Sequence, residues 1–142
     1  MGVRVEIVRE ASQALVNAFS RLFPQLSSTA KPLDHDAIDR MVNCELLIAR
    51  TPDAIVGTLT LVLLPLPSGL RARVEDVVVG SAARGQGVAG LLIQEALRIA
   101  REAEARTVDL TSRQDRAAAN RLYERLGFQA RQSTVYRFQT DS

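Results

Sequence analysis

One stretch, VVVGSAARGQGVAGLLIQEAL at residues 77–97, limits this chain more than any other. Gly85, Gly87 and Gly90 spell G-x-G-x-x-G, the spacing of a dinucleotide-binding turn. In a doubly wound sheet that turn opens the first mononucleotide half, ahead of alternating strands and helices. Here it follows four strand-like segments, and too few of the 142 residues remain after Gly90 to supply the missing parallel strands. An acidic residue does follow about twenty positions later. That residue, Asp109, lies inside the strand-like TVDLT and not at a strand's end, where a ribose would meet it. The glycine spacing therefore does not mark a nicotinamide dinucleotide site.

The physics of the loop outlives that label. A strand ending in VVVG runs through SAARGQGV directly into a helix. Without Cβ atoms at Gly85 and Gly87, consecutive backbone N–H groups can converge on one point. Those amides are orphan donors at the positive end of a helix dipole, which makes a cradle for an anion. Arg84 adds a charge able to pair with phosphate oxygens. No Lys-Ser/Thr follows, so the loop is not that of a nucleoside triphosphatase and no magnesium is implied. The pattern predicts a diphosphate held without metal; the bland alternative is a tight turn with no ligand.

The surrounding pattern sets the frame. VRVEIVR (3–9) alternates as a half-buried strand, and SQALVNAFSRLF (12–23) places Leu15, Ala18, Phe19, Leu22 and Phe23 at helical spacing. SSTAKP reads as a polar loop. LDHDAIDRMV (33–42) reads as a short helix with Ile38, Met41 and Val42 inward and Asp34 and Asp36 as capping acids beside His35. CELLIAR and AIVGTLTLVLLP flank the turn TPD as a hairpin, and PLPSG turns the chain into LRARVEDVVV (70–79). VAGLLIQEALRIAREAEA is an amphipathic helix, RTVDLTS a short strand, and DRAAANRLYERL a helix closed by Gly127 in the left-handed conformation. FQARQ and TVYRF read as two final strands. No linker or repeat interrupts this order, so residues 1–142 are expected to form a single domain.

Composition removes several functions. No apolar run reaches the length of a membrane helix, and the charged N-terminus MGVRVEIVRE lacks a secretory apolar block. A lone Cys44 cannot form an internal disulfide, which together with the other features suggests a cytoplasmic location. Lys31 is the only lysine, the arginines are scattered, and aromatics make up 4% of residues, so no stacking platform for nucleic acid exists. A net charge of +2 suits an anionic cofactor equally well.

VEDVVVGSAARGQGVAGLLIQEAL resembles the acetyl-CoA-binding core of GCN5-related N-acetyltransferases, whose loop reads Q/R-x-x-G-x-G/A. Arg84-x-x-Gly87-x-Ala89 fits that pattern as written. Ala82-x-x-Gly85-x-Gly87 fits its usual alignment but lacks the leading Gln or Arg, which removes one side chain and leaves the backbone cradle intact. AAANRLYERLGF (117–128) resembles the family's later helix, and the match spans about residues 70–138. The resemblance implies an α/β (α+β) fold: a mixed, mostly antiparallel twisted sheet of about seven strands with about four helices, splayed between strands 4 and 5. It implies acetyl-CoA as cosubstrate, no metal, and a small-molecule or peptide amine as acceptor. No nucleic-acid or membrane partner is expected, and a homodimer is compatible with it.

Site residues follow from the same resemblance. Val77 and Val79, with Val78 between them, offer strand backbone to the pantetheine arm, a contact like strand addition. Arg84, Gly85, Gln86, Gly87, Val88 and Ala89 hold the pyrophosphate. Asn120 corresponds to a residue that hydrogen-bonds the cosubstrate, and Tyr123 to the acid that protonates the departing thiolate. Glu75 occupies the position of the family's base, with pairing to a nearby arginine as its structural alternative; Asp76 is expected on the opposite face because strand side chains alternate. A different class of function, an acyl-CoA-binding or regulatory module without turnover, shares all of the cosubstrate contacts.

Overall fold

The elements fall where hydrophobic periodicity and local caps put them. The computed structural model describes residues 2–26, 32–41 and 44–141, the side chain of Met41 excepted. Residues 27–31 of the expected loop SSTAKP and the inward placement of Met41 and Val42 lie outside the described residues. In chain order the elements are β1 (Arg4–Ile7), α1 (Gln13–Leu22), α2 (His35–Met41), β2 (Glu45–Arg50), β3 (Ile55–Leu66), β4 (Gly69–Val79), α3 (Val88–Glu102), β5 (Val108–Asp109) and α4 (Ala117–Arg125). Ser12 caps α1 by accepting a hydrogen bond from the Leu15 amide at 3.2 Å. The Asp34 carboxylate does the same for Ala37 at 2.8 Å, the capping role its position suggested. Thr51 Oγ1 accepts from the amides of Asp53 and Ala54 and closes the β2–β3 hairpin.

Among the described residues the sheet has five strands in the order β1-β2-β3-β4-β5, antiparallel except for the parallel β4–β5 pair. Helices cover both faces. On one, Leu46, Ile48 and Val78 join Leu15, Ala18, Phe19 and Leu22 of α1 and Ile38 of α2 in a buried cluster. On the other, α3 packs over β2, β3 and β4. At Gly57 a Cβ would meet Val88 at 3.1 Å and Leu92 at 3.3 Å, so the strand runs close enough to α3 for any side chain there to crowd it. With both faces covered, the residues of β2 from Leu46 to Ala49 are all buried, which explains an apolar run without alternation.

Five strands replace the expected seven. FQARQ and TVYRF form no strand in the structure, and Val135, Tyr136 and Phe138 are 70%, 90% and 87% exposed. Their alternation gives strand propensity, but a strand exists only through a ladder partner, and these segments have none among the described residues. The chain divides into two compact units, residues 1–111 and 112–142, which are described separately. The second contains α4, whose end is fixed by Gly127 at φ 101°. Phe128 N–H donates to the Tyr123 carbonyl at 3.0 Å and Gly127 N–H to that of Glu124 at 3.1 Å, a Schellman closure.

Candidate functional site

β4 is regular up to Glu75 and then changes face. Glu75 stands opposite Thr60 and Val78 opposite Thr58, so Asp76 and Val77 together face the single residue Leu59. This is a β-bulge, and Asp76 adopts a left-handed φ of 51° to make it. The extra residue inverts the alternation of the strand's faces. Val74 stands opposite Leu61, whereas Val78, four positions later, belongs to the cluster under α1. Glu75, through Thr60 and Leu46, lies on that same α1 side. Strict alternation, which was expected to separate Glu75 from Asp76, therefore ends where the two carboxylates stand.

The bulge coincides with an opening in the sheet. β5 pairs with β4 only at Ala72 and Arg73, and its strand ends at Asp109. From Val74 onward that edge of β4 has no ladder partner among the described residues. The Gly80 amide donates to the Val56 carbonyl at 2.8 Å on the β3 side. By the antiparallel pattern, the N–H and C=O of Val79 then point to the open edge. Val77 and Val79 are half-buried, and Val78 is buried in the core.

Beyond β4, a short 3-10 turn (Ser81–Ala83) and Arg84 lead into Gly85 at φ 80° and Gly87 at φ 78°, the latter capping α3. No side chain caps that helix. A Cβ at Gly85 or Gly87 would meet nothing within 4 Å. Glycine is therefore required there by the left-handed backbone and not by crowding, and the space above the loop is open. Open space, uncapped helix amides and the exposed Arg84 together fit a diphosphate. Arg84 Nη2 donates to Gln25 Oε1 at 3.2 Å, a link between the loop and the segment after α1 that sequence gave no hint of. The Gln86 side chain donates from Nε2 to the Ala82 carbonyl at 3.5 Å; Val88 is buried beneath the loop and Ala89 is half-buried.

The candidate acid–base groups differ in their surroundings. Glu75 Oε2 accepts from Arg73 Nε at 2.5 Å, and Arg73 Nη2 in turn donates to Thr111 Oγ1 at 2.5 Å. The arginine pairing weighed as its structural alternative is thus present. Asp76 is exposed as a residue, yet its carboxyl is sheltered enough to be pushed above its ordinary value, by burial first and by the charge of Glu75 second. Sequence reasoning passed over Asp76. An Asp in the middle of an apolar strand, a residue type that tolerates left-handed backbone, was the available signal.

In the second unit, Asn120 Nδ2 donates to the carbonyl of Arg113 at 3.0 Å, which ties down the turn before α4. Its amide thus has a local task besides the one expected of it. Tyr123 is half-buried, with its ring edge-on to Phe128 at 6.0 Å between centroids. That contact joins the two residues bridged by the Schellman hydrogen bond, so the turn fixes the tyrosine.

The profile of the Acetyltransferase (GNAT) family matches residues 12–128. The chain belongs to the GNAT family. GNAT members are acetyl-CoA-dependent acetyltransferases acting on small-molecule or peptide amines. No curated protein matches the chain. Among solved structures, one described as a transcriptional regulator from Bacillus halodurans C-125 shares 30% identity and a TM-score of 0.76, over 96% of this chain and 100% of that one. An aminoglycoside acetyltransferase from an uncultured soil metagenomic sample, crystallised with trehalose, reaches a TM-score of 0.84 at 19% identity, covering 99% and 97%. A ribosomal-protein-alanine N-acetyltransferase from Brucella melitensis biovar Abortus 2308 gives 0.75 at 24% identity, covering 97% and 100%. The last two share the GNAT fold with this chain. Among the described residues no helix is long and apolar enough to cross a membrane.

Proposed function

We propose that this chain transfers the acetyl group of acetyl-CoA to a primary amine by direct attack. The observation that carries the reading is the pairing of an open β4 edge with a glycine-turned, uncapped helix start one short loop away. The backbone of Val77 to Val79 orients the acyl-bearing arm, and the amides from Gly85 to Ala89 hold the pyrophosphate with the Arg84 side chain, whose own N–H is already donated to the Ser81 carbonyl at 3.5 Å. Asn120 adds a hydrogen bond to the cosubstrate. The thioester is already activated, so the chain supplies orientation and two proton transfers. A β4 carboxylate takes a proton from the acceptor's ammonium, with Glu75 in the family's position for it. Tyr123 protonates the leaving sulfur.

The acceptor belongs to the class of small-molecule or peptide amines, a range that the aminoglycoside and ribosomal-protein enzymes of the same fold illustrate. A second reading, an acyl-CoA-binding regulatory module, is favoured by two observations. Its relative at 30% identity is described as a transcriptional regulator, and Glu75 is held by Arg73. A thiol-release assay with acetyl-CoA across a panel of primary amines separates the two. Amine-dependent release is expected; acetyl-CoA binding with no release on any amine would favour the module.

A further inference from the structure

The bulge in β4 gives the two neighbouring carboxylates unequal positions. Glu75 lies in the regular part of the strand, half-buried and bonded to Arg73, which is itself anchored on Thr111. Any proton it accepts must come at the expense of that ion pair. Asp76 occupies the bulge itself, where β4 has lost its β5 neighbour, and it is exposed. Among the described residues no arginine or lysine is paired with it. A bulge re-aims a side chain at the cost of a strained backbone, here an aspartate at φ 51°.

We infer that Asp76, and not Glu75, takes the proton of the acceptor's ammonium, an inference that rests on the acetyl transfer proposed above. Glu75, braced by Arg73, is a positioning residue: after burial of the Asp76 carboxyl, which is the larger cause, the Glu75 charge further raises the affinity of that carboxylate for a proton. The shift moves Asp76 toward the working pH, where a carboxylate is a more effective base. In the reaction the R–NH3+ acceptor gives one proton to Asp76, and the lone pair of the neutral amine forms the N–C bond to the thioester carbonyl. The C–S bond breaks with its electron pair on sulfur. Sulfur takes a proton from Tyr123, and the second N–H proton restores the tyrosine. The products are an amide, a thiol and one proton, which leaves to water from Asp76.

The test compares wild type with Asp76→Asn, Asp76→Gly and Glu75→Gln. Asparagine and glycine both accept left-handed backbone, so each removes the charge while keeping the bulge, and the pair guards against one variant failing to fold. Thiol release is measured from acetyl-CoA with an aminoglycoside, a polyamine and a peptide bearing an N-terminal alanine, together with acetyl-CoA affinity by calorimetry. Both Asp76 variants are expected to lose about 10²-fold or more in kcat at unchanged acetyl-CoA affinity, most severely at low pH, where more of the amine is protonated. Glu75→Gln is expected to lose less than about tenfold and to shift the pH–rate profile to lower pH, as a group acting through Asp76 would. Wild-type turnover in Asp76→Asn, or an equal loss in Glu75→Gln with no shift of the profile, overturns the inference and leaves the proposed function standing. A wild-type protein that binds acetyl-CoA but acetylates none of the three amines overturns the function, and this inference with it.

Discussion

Two helix ends in this molecule are turned by a left-handed glycine, and they are finished in opposite ways. At the end of α4, Gly127 at φ 101° spends its turn on the chain itself, where two hydrogen bonds satisfy helix carbonyls and Phe128 packs on Tyr123. At the start of α3, Gly87 at φ 78° leaves the helix without a side-chain cap, under open space. The first is what a helix terminus looks like when its turn serves only contacts within the chain. The second keeps polar groups in reserve for something outside the chain, which is the arrangement an anion needs. Left-handed glycine is thus no functional signal by itself; what matters is whether the groups it exposes are already used.

Substitutions at the two ends should therefore behave differently. The largest effect is expected from Gly87→Val, where a β-branched side chain enters the phosphate approach and stiffens the turn. Turnover should disappear, while folding loses only about 1–2 kcal/mol for the left-handed conformation, as a denaturant titration would read. Tyr123→Phe comes next. It keeps the edge-on contact with Phe128 and the Schellman turn and removes one hydroxyl, so turnover should fall about 10²- to 10⁴-fold at unchanged thermal midpoint. A fall in the midpoint instead would make the tyrosine a packing residue. Gly127→Ala is the mirror case: a loss of about 1 kcal/mol in stability with acetyl-CoA affinity unchanged. Reduced affinity there would erase the distinction between the two ends.

The smallest effect is expected at Asp76, read as stability against pH. Its carboxyl is raised in the fold, so the stability it contributes is complete below the ordinary aspartate value of 3.8 and is lost as pH rises through its folded value. Asp76→Asn should then be as stable as wild type or slightly more so near neutrality, with the difference vanishing in acid. Thermal midpoints across pH would show it; a variant less stable than wild type at pH 7 would mean that the charge is paired after all.

Much of this was legible in the sequence because it is local. The β2–β3 hairpin, the cap at Asp34, the glycine turn before α3 and the left-handed Gly127 each follow from residue types a few positions apart. The bulge was not. In VEDVVV the valines after Asp76 suit either face, so nothing in the strand reports that β3 offers one residue where β4 offers two. The Arg73–Glu75 pair was open to reading, since residues two apart share a face of a regular strand. TVYRF misled for the opposite reason: alternation describes a surface ready to pair but says nothing of a partner.

In the proposed function the turn into α3 holds a diphosphate. Calorimetric titration of acetyl-CoA against S-acetylpantetheine, which keeps the thioester arm and lacks the pyrophosphate, tests it most directly. Acetyl-CoA is expected to bind with a Kd well below about 1 mM, equivalent to about −4 kcal/mol, and the truncated thioester at least about 10²-fold more weakly. Equal affinity for the two, or no binding of acetyl-CoA below about 1 mM, would contradict it.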